Sequence, residues 1–406
     1  MRINKMLEEQ GKISRVREVK LKERIMGYSV SPARSGEMAQ VQYMGATSTE
    51  DGDLHIKYLE GFPQTILSMI DEGITPADIK SMVVLISHDL NAKVYINELE
   101  VFGYVHVKAK KVDKGQALKK DDISGFERIK LGDIEFPDDH AYFCVLSLGW
   151  DKAYIFDFSP LDDQSSRKIE YDVEKFIGSY FSYLSFKTIH KISDSDWDQI
   201  LKQNWFPFFS LKFSTIESII NYVRAGWDID DLINTIEIDT LEHLQNWTPD
   251  WKKDEGLAPF VDFLERAIER HKSEDFISST SIIYPKIEGL IRQEFIKDNP
   301  GKEGRRQNML VEHITEKTQY TLSSLTTYIP DRFKRYLEEC YFKDFIASSQ
   351  NNQVSRHSVA HGASSIEQYG KKESLVGLLV FSQIAQYIKQ SSNKSSNTDA
   401  ASSAGS

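Results

Sequence analysis

The spacing of apolar residues changes at about residue 165, and this change constrains the fold more than any other feature of the sequence. Before it, the short runs at 82–86, 93–96 and 101–107 are rich in β-branched and aromatic residues, which is typical of strands. After it, long segments place apolar residues at helical spacing. The sequence therefore predicts an α+β protein, with a mainly β N-terminal part and a helical C-terminal part.

Five segments follow from this pattern. They are a basic irregular arm at 1–50 with at most one short helix near 4–23, a mixed, mainly β domain at 51–165, an aromatic-rich helical connector at 166–256, an all-α helical bundle at 257–390, and a Ser-rich tail at 391–406. Within the β domain, a hairpin is expected where residues 142–148 and 153–158 flank Gly149. The tail has almost no apolar residues, so we expect it to be disordered.

Composition argues against several classes of protein. The formal net charge of −11 does not suit a broadly basic nucleic-acid coat. Two distant cysteines cannot build a disulfide framework or a zinc cluster, and no segment approaches the ~20 apolar residues of a membrane span. We therefore expect a soluble, cytoplasmic protein without a cofactor, a bound metal or a membrane partner. Because residues 257–390 are close to neutral, that part is the better candidate for contact with a polyanion.

One short segment in the last third concentrates residues that suit catalysis. Arg356, His357 and His361 lie in the run Ser-Arg-His-Ser-Val-Ala-His-Gly at 355–362, between a polar loop and the last predicted helix. Upstream, residues 285–292 read Pro-Lys-Ile-Glu-Gly-Leu-Ile-Arg. The first segment resembles the signature of the HEPN (higher eukaryotes and prokaryotes nucleotide-binding) superfamily, which is an Arg, four to six residues and then a His. The second resembles the Pro-x-Ile-Glu-Gly-x-x-Arg helix that precedes this element in a bacterial branch of the superfamily. The resemblance covers about 258–390.

The resemblance implies a C-terminal HEPN-like helical bundle and a metal-independent endoribonuclease. His361 would take the proton from a 2′-hydroxyl, and Arg356 would stabilise the charge that develops on the attacked phosphate. A 2′-hydroxyl nucleophile restricts the reaction to RNA. Family members commonly pair their Arg-His elements in a homodimer, and bacterial ones often act in antiviral defence or toxin systems. The expected partners are therefore RNA, a second copy, and a regulatory ligand or protein at the N-terminal domain.

Two neighbouring residues leave alternatives open. His357 stands where the family usually has Asn or Asp, and on a helix it shares a face with His361 at i+4. It either assists catalysis by orienting the phosphate or His361, faces solvent as a bystander, or forms a His-x-x-x-His metal pair for which no third ligand is evident. Glu288 either pairs with Arg292 at i+4 or points into the cleft and orients Arg356 or His361.

The same residues also fit functions without catalysis. The Arg-His element could be a capped helix turn in an inert bundle, with Arg356 bound to a carboxylate. The protein would then be a non-catalytic module for RNA binding, nucleotide binding or dimerisation. A third interpretation is a protein-interaction adaptor that uses the aromatic region 176–209. Spacing alone also selects Arg266 with His271, and Arg306 with His313; both pairs are interpreted as solvated helix faces.

Two further patches have a structural and a functional interpretation. The aromatic region 176–209 either docks one domain on another or forms a platform for stacked bases, and the interleaved basic residues that a platform needs are sparse in it. The lysines between Lys108 and Lys120 form the densest basic cluster. Interspersed acidic residues favour a solvated loop over a track for RNA.

Overall fold

The chain forms two compact units, each built from two separate parts of the sequence. The computed structural model describes residues 16–23, 29–30, 33–51, 56–70, 73–108, 112–162, 167–304, 306–321, 325–343 and 366–403. The first unit comprises Met1–Tyr104 and Arg128–Tyr180, and the second comprises Val105–Glu127 and Phe181–Ser406. The helical unit therefore includes a short stretch from the region that the sequence assigns to the β domain.

The first unit is built on a six-stranded antiparallel sheet. The strands of the described chain are β1 (Arg17–Lys20), β2 (Ser29–Val30), β3 (Val41–Gln42), β4 (Met44–Ser48), β5 (Ser81–Ile86), β6 (Asn91–Ile96), β7 (Val101–Val107), β8 (Ile123–Leu131), β9 (Ala141–Leu148) and β10 (Asp151–Asp157). In the main sheet they lie in the order β1-β6-β5-β9-β10-β4, while β2 pairs with β3 and β7 with β8.

The predicted strands and hairpin are confirmed. Strands β5, β6 and β7 cover the three apolar runs. In the hairpin of β9 and β10, Asp151 lies opposite Leu148, so the turn consists of Gly149 and Trp150. Gly149 has φ +66°, a left-handed conformation that glycine adopts without steric penalty. Strand β7 departs from the expected half-buried pattern because Val101, at 46% exposure, lies in a two-stranded ribbon and not in the main sheet.

The first fifty residues contain more regular structure than the predicted irregular arm. Strands β1 and β4 form the two edges of the main sheet, with Arg17 opposite Val94 and Ser48 opposite Ala153. The short helix expected near 4–23 is wrong at 17–20, where the chain is β1. Exposure alternates along β1, and a period of two lets it add to the edge of β6 through its backbone.

Helix α1 (Ile56–Ile70) supplies the core on one face of this sheet. Leu59 and Ile66 belong to the same apolar cluster as Met82 and Val84, which alternate along β5. The opposite strand face is also buried, since Cys144 on β9 is 0% exposed. Burial on both faces explains why these strands read as nearly continuous apolar runs.

The remainder of the described chain is mainly helical. Its helices are α2 (Val173–Ser185), α3 (Lys187–His190), α4 (Asp194–Lys202), α5 (Phe213–Ala225), α6 (Ile233–Trp251), α7 (Ala258–Lys272), α8 (Phe276–Asp298), α9 (Gln307–Thr321), α10 (Pro330–Tyr336) and α11 (Lys371–Ser403). A π turn, Leu337–Tyr341, follows α10. Helix α11 continues into the segment 391–406, where the sequence predicts a disordered tail, because extending a formed helix by one residue is easier than starting one.

One apolar core joins the predicted connector to the predicted bundle. The rings of Phe206 and Phe208 lie 5.2–6.3 Å from those of Phe333 and Tyr336, measured between centroids. All four side chains are fully buried. The aromatic residues at 205–209 are therefore core residues of the helical unit, and the interpretation as a base-stacking platform is wrong for them.

Helix α11 is the centre of this core. Residues 374–388 are buried throughout, as expected for a helix that is surrounded on all sides. At Gly377, a Cβ atom would lie 2.6 Å from Cγ2 of Ile283, so α11 approaches α8 at a distance that only glycine permits. The Gln383 side-chain oxygen accepts a hydrogen bond from the Phe209 backbone N–H at 3.1 Å. Polar side chains in α11 thus tie loops of the helical unit to its centre.

Candidate functional site

The three residues predicted to carry catalysis lie outside the described residues. Arg356, His357 and His361 fall within 344–365, between the π turn and the short 3₁₀ turn that precedes α11. The roles assigned to them remain predictions. Glu288, the fourth predicted site residue, lies within the described part of α8.

Glu288 makes the ion pair predicted from its spacing. Nη2 of Arg292 donates to Oε1 of Glu288 at 2.5 Å, and the Glu288 side chain is only 13% exposed. The i,i+4 pairing is therefore confirmed. A role for Glu288 in orienting Arg356 or His361 remains a prediction.

The helix that carries Glu288 packs directly on α11, the helix that follows the Arg-His element in the sequence. The hydroxyl of Tyr284 donates to the backbone oxygen of Glu373 at 3.1 Å, which links α8 to the first turn of α11. Gly377 lies against Ile283 and Tyr284 on the next turn. The geometry of this helix pair is thus set by residues directly before the Pro285 segment and in the first two turns of α11.

The two other Arg-His spacings have structural explanations. His271 is 1% exposed; its Nδ1 lies 2.7 Å from the Ser374 hydroxyl and its Nε2 lies 3.0 Å from Oε1 of Glu237. Burial lowers the pKa of His271, so its interpretation as a solvated residue is wrong. Arg266 is exposed and pairs with Glu269 at 2.9 Å.

The second of these pairs is also engaged in the surface of the helical unit. Nε2 of His313 lies 3.0 Å from Oδ2 of Asp298, and Arg306 is exposed. In each of the two spacing matches, the histidine is bound by a carboxylate from another helix, while the arginine is exposed.

A cavity in the helical unit brings together polar residues that the sequence does not single out as a site. Its volume is about 140 Å³. It is lined by Lys108 after β7, Asp121 and Asp122 before β8, Ser210, Leu211 and Lys212 before α5, and Asp239, Glu242, His243 and Asn246 on α6. Loops from three parts of the chain thus meet at one face of α6.

Lys108 is held in this cavity by its backbone. Its N–H donates to the oxygen of Asp122 at 2.7 Å, and its own oxygen accepts from the Gln386 amide on α11 at 3.4 Å. The residue is 7% exposed. Burial lowers the pKa of the Lys108 ammonium to about 8, although Asp121, Asp122 and Asp239 act in the opposite direction. The expectation of a solvated loop is therefore wrong for Lys108.

His243 is the second buried titratable group of the cavity. Its ring lies 3.6 Å from that of Trp247 and 5.7 Å from that of Phe209, measured between centroids. Among the described residues, its Nε2 has no hydrogen-bond partner. Burial and, secondly, the positive charge of Lys108 hold the pKa of His243 well below its ordinary value. His243 is therefore a neutral imidazole at neutral pH.

The carboxylates of the cavity wall are engaged by protein donors. Asp239 accepts from the Lys212 backbone N–H at 3.1 Å and from the Thr215 hydroxyl at 2.6 Å, and Nζ of Lys212 lies 3.3 Å from its other oxygen. The same Nζ is 2.7 Å from Glu242. Oδ1 of Asp121 accepts from the backbone N–H of Phe213 at 2.6 Å. These contacts order the start of α5.

Three groups in the cavity differ from these carboxylates. In the described part of the chain, the Ser210 hydroxyl has no hydrogen-bond partner, and Ser210 is 8% exposed. Nε2 of His243 likewise has none. The cavity therefore presents a buried ammonium, a hydroxyl and a neutral imidazole, a combination that binds hydrogen-bonding ligands. Local sequence gives no signal for this grouping, because the three residues come from distant segments.

Comparisons with known proteins give no relative for this chain: no family model, no curated protein and no solved structure matches it. Among the described residues, no cluster of three or more His, Cys, Asp or Glu side chains is placed to hold a metal ion. In the same part of the chain, no helix combines the length and apolar character that crossing a membrane requires.

Proposed function

We propose that the protein is a metal-independent endoribonuclease of the HEPN type. The observation that carries the proposal is the joint presence of the Arg356–His361 element and the upstream Pro285–Arg292 segment in one sequence. Either segment alone is a weak signal, since the Arg-His spacing recurs at Arg266. The order of the two segments and the polar loop before the second make the combination specific.

The packing of the helical unit supports this proposal. The upstream segment lies within α8 and the Arg-His element precedes α11 in the sequence, and these two helices contact each other through Tyr284, Glu373 and Gly377. A site that uses residues of both segments needs such a fixed helix pair, because catalytic groups must be held to within about 0.5 Å of their working positions.

The proposed reaction uses each residue for a distinct step. His361 removes the proton from the 2′-hydroxyl of the RNA as this oxygen attacks the adjacent phosphorus. Arg356 carries a permanent charge and a planar fork that matches phosphate oxygens, so it stabilises the transition state. His357 orients the phosphate or His361. The bond from phosphorus to the 5′-oxygen breaks, this oxygen takes a proton from water, and His361 releases its proton to solvent. The products carry a 2′,3′-cyclic phosphate and a 5′-hydroxyl.

Glu288 has a supporting role in this proposal. Its carboxylate is largely buried and already bound to Arg292, so it can position a cationic neighbour without taking part in proton transfer. The proposal further places two copies of the chain side by side, with their Arg-His elements facing one cleft, and assigns the protein to a defence or toxin system in the cytoplasm.

The proposal is tested by incubating the purified full-length protein with mixed RNA in EDTA. We expect cleavage that persists in EDTA and falls about 10²-fold or more in Arg356→Ala and in His361→Ala, the range typical for loss of a positioned acid–base or charge-stabilising group. Mass spectrometry of the fragments is expected to detect the cyclic phosphate. Light scattering measures whether the protein is a dimer.

Matched controls come from the alternative spacing pairs. Arg266→Ala and His313→Ala remove the same residue types from exposed or half-exposed positions on α7 and α9, and both variants are expected to retain activity. Cleavage that disappears in EDTA would contradict the metal-free mechanism. RNA that is bound but not cut by the wild type favours the non-catalytic module, and absence of both binding and cleavage favours the adaptor.

A further inference from the structure

The cavity beside Lys108 has features that the proposed ribonuclease activity does not use. Its lining residues lie in 108–122, 210–212 and 239–246, well separated in sequence from the Arg-His element. Burial of a lysine that lacks an ion pair is unfavourable. Within the described residues, no carboxylate lies within the 4.0 Å of a salt bridge to Lys108, unlike Lys212 on the same wall, which contacts Asp239 and Glu242.

Two polar groups of the cavity wall lack a partner, whereas the carboxylates beside them are engaged. Asp239, Glu242 and Asp121 are bound by protein donors. The Ser210 hydroxyl and Nε2 of His243 are buried and lack hydrogen-bond partners among the described residues. A hydroxyl, an imidazole in the tautomer with a proton on Nε2, and an ammonium can all donate to the same acceptor. An oxyanion offers several acceptor lone pairs in a small volume.

The cavity is large enough for a small ligand. Its volume of about 140 Å³ is several times what one water molecule requires, so a phosphate group or a short carboxylic acid has room in it. The surrounding carboxylates repel excess negative charge, so a singly charged group suits the cavity better than a doubly charged one.

We propose that this cavity is a binding site for a small oxyanion, a carboxylate or a phosphate group, held by Lys108, Ser210 and His243. Lys108 supplies the countercharge, and Ser210 and His243 supply hydrogen bonds from two other segments. The ligand thereby connects the loop after β7, the loop before α5 and the face of α6. The site uses none of the residues assigned to the proposed ribonuclease activity.

The test is isothermal titration calorimetry of the full-length protein with sodium acetate and, separately, with inorganic phosphate, in a buffer free of both. We expect saturable binding of at least one anion at a stoichiometry of one per chain. Lys108→Met is expected to weaken it about tenfold or more, since a hydrogen bond to a charged partner contributes at least that factor. Ser210→Ala is expected to weaken it less.

Lys114→Met is the matched control, because Lys114 is exposed in the same loop region and does not line the cavity. It is expected to bind as the wild type does. Saturation by acetate alone assigns a carboxylate ligand, and saturation by phosphate alone assigns a phosphate group. The proposal is overturned if neither anion saturates, or if Lys108→Met binds with unchanged affinity.

A second measurement on the wild-type chain guards against a variant that fails to fold. Reductive methylation near pH 8 labels accessible amines, and mass spectrometry quantifies the label at each lysine. At saturating anion, we expect slower labelling of Lys108 and unchanged labelling of Lys114. Equal labelling of Lys108 with and without the anion would contradict the proposed contact.

Discussion

Arg167 in the sheet unit and Lys108 in the helical unit are both buried cations, and they differ in their partners. In the sheet unit, the Arg167 side chain is 4% exposed, donates to Asp138 at 2.7 Å and to the backbone oxygens of Phe136 and Pro137 at 3.1 and 3.0 Å, and lies 4.0 Å from the buried Asp157. In the helical unit, the Lys108 ammonium has no comparable set of acceptors among the described residues. Apart from its Nε, Arg167 is thus matched by acceptors of the protein itself, whereas Lys108 leaves room for the acceptor of the proposed ligand.

The largest effect is expected from removing the partnered cation. Arg167→Met leaves Asp157, which is 1% exposed, without its nearest cation and leaves the two backbone oxygens without their donors. Removal of one partner of a buried pair destabilises a protein by about 3 to 5 kcal/mol. Urea unfolding followed by circular dichroism measures this loss. A loss below about 1 kcal/mol would remove the contrast between Arg167 and Lys108.

Removal of Lys108, the buried cation without an ion pair among the described residues, is expected to raise the free energy of unfolding. The pKa of Lys108 is lowered from 10.5 to about 8 in the folded chain, so between these two values the unfolded chain binds more protons and stability rises with pH. Below pH 8 the lysine is charged in both states, and the full free-energy cost of burying its charge applies. Lys108→Met is therefore expected to stabilise the protein by up to about 3 kcal/mol at pH 7, in buffer without oxyanions.

The pH dependence of the stabilisation by Lys108→Met serves as a control. The advantage of Lys108→Met over the wild type is expected to shrink as the pH rises from 8 to 10.5, as the native lysine loses its proton in both states. Urea titrations at pH 7 and pH 10 compare the two proteins. A variant that is less stable than the wild type at pH 7 would show that Lys108 has a stabilising partner.

Substitution of His243, the histidine of the cavity, is expected to have a smaller effect on stability, which develops at acidic pH. The pKa of His243 is lowered by burial and by Lys108, so the unfolded chain binds more protons than the folded chain below pH 6.5 and stability falls as the pH falls. The groups that face His243 are Lys108, Asp121, Asp122, Asp239 and Glu242. Between pH 7 and pH 5.5, the free energy of unfolding of His243→Gln is expected to fall by about 1 kcal/mol less than that of the wild type.

Thermal unfolding at pH 7 and pH 5.5 measures this difference. His271 and His190 have pKa values lowered in the same direction, so part of the acid sensitivity is expected to persist in the variant. An identical loss in His243→Gln and the wild type would mean that His243 is not kept neutral by its surroundings.

The smallest effect is expected at a surface pair. Arg266 is 62% exposed on its side chain and pairs with Glu269, which is 66% exposed. Solvent screens such pairs, so Arg266→Ala is expected to change the free energy of unfolding by no more than about 0.5 kcal/mol. Urea unfolding of Arg266→Ala and Arg167→Met in parallel measures this change. If Arg266→Ala lost as much free energy of unfolding as Arg167→Met, exposure would not separate the two kinds of ion pair.

Local pattern was sufficient for the regular elements of the fold. The strands at 82–86 and 101–107, the hairpin around Gly149 and the long helices after residue 257 follow from periodicity and turn residues, which act within a few residues. Pairing of Glu288 with Arg292 follows from helix geometry in the same way. Strand β1 was missed, because it depends on the edge of β6, whose sequence lies more than seventy residues away.

Burial of individual polar residues required the tertiary structure. Lys108 stands in a run of lysines that reads as a solvated loop, and it is buried because Gln386 on α11 binds its backbone. His271 reads as part of a helix face and is buried because Ser374 and Glu237 meet it from two other helices. Neither partner can be identified from the sequence around the residue.

The sequence by itself determined the mixed class of the chain, the positions of most strands and helices, and the Arg356–His361 element on which the proposed ribonuclease activity rests. Only the tertiary structure decided that the aromatic residues at 205–209 are core residues and that Lys108, Ser210 and His243 share one cavity. The physical reason is the distance along the chain over which each kind of interaction acts. Periodicity and turn chemistry are local, whereas burial and the grouping of a site depend on which distant segments pack together.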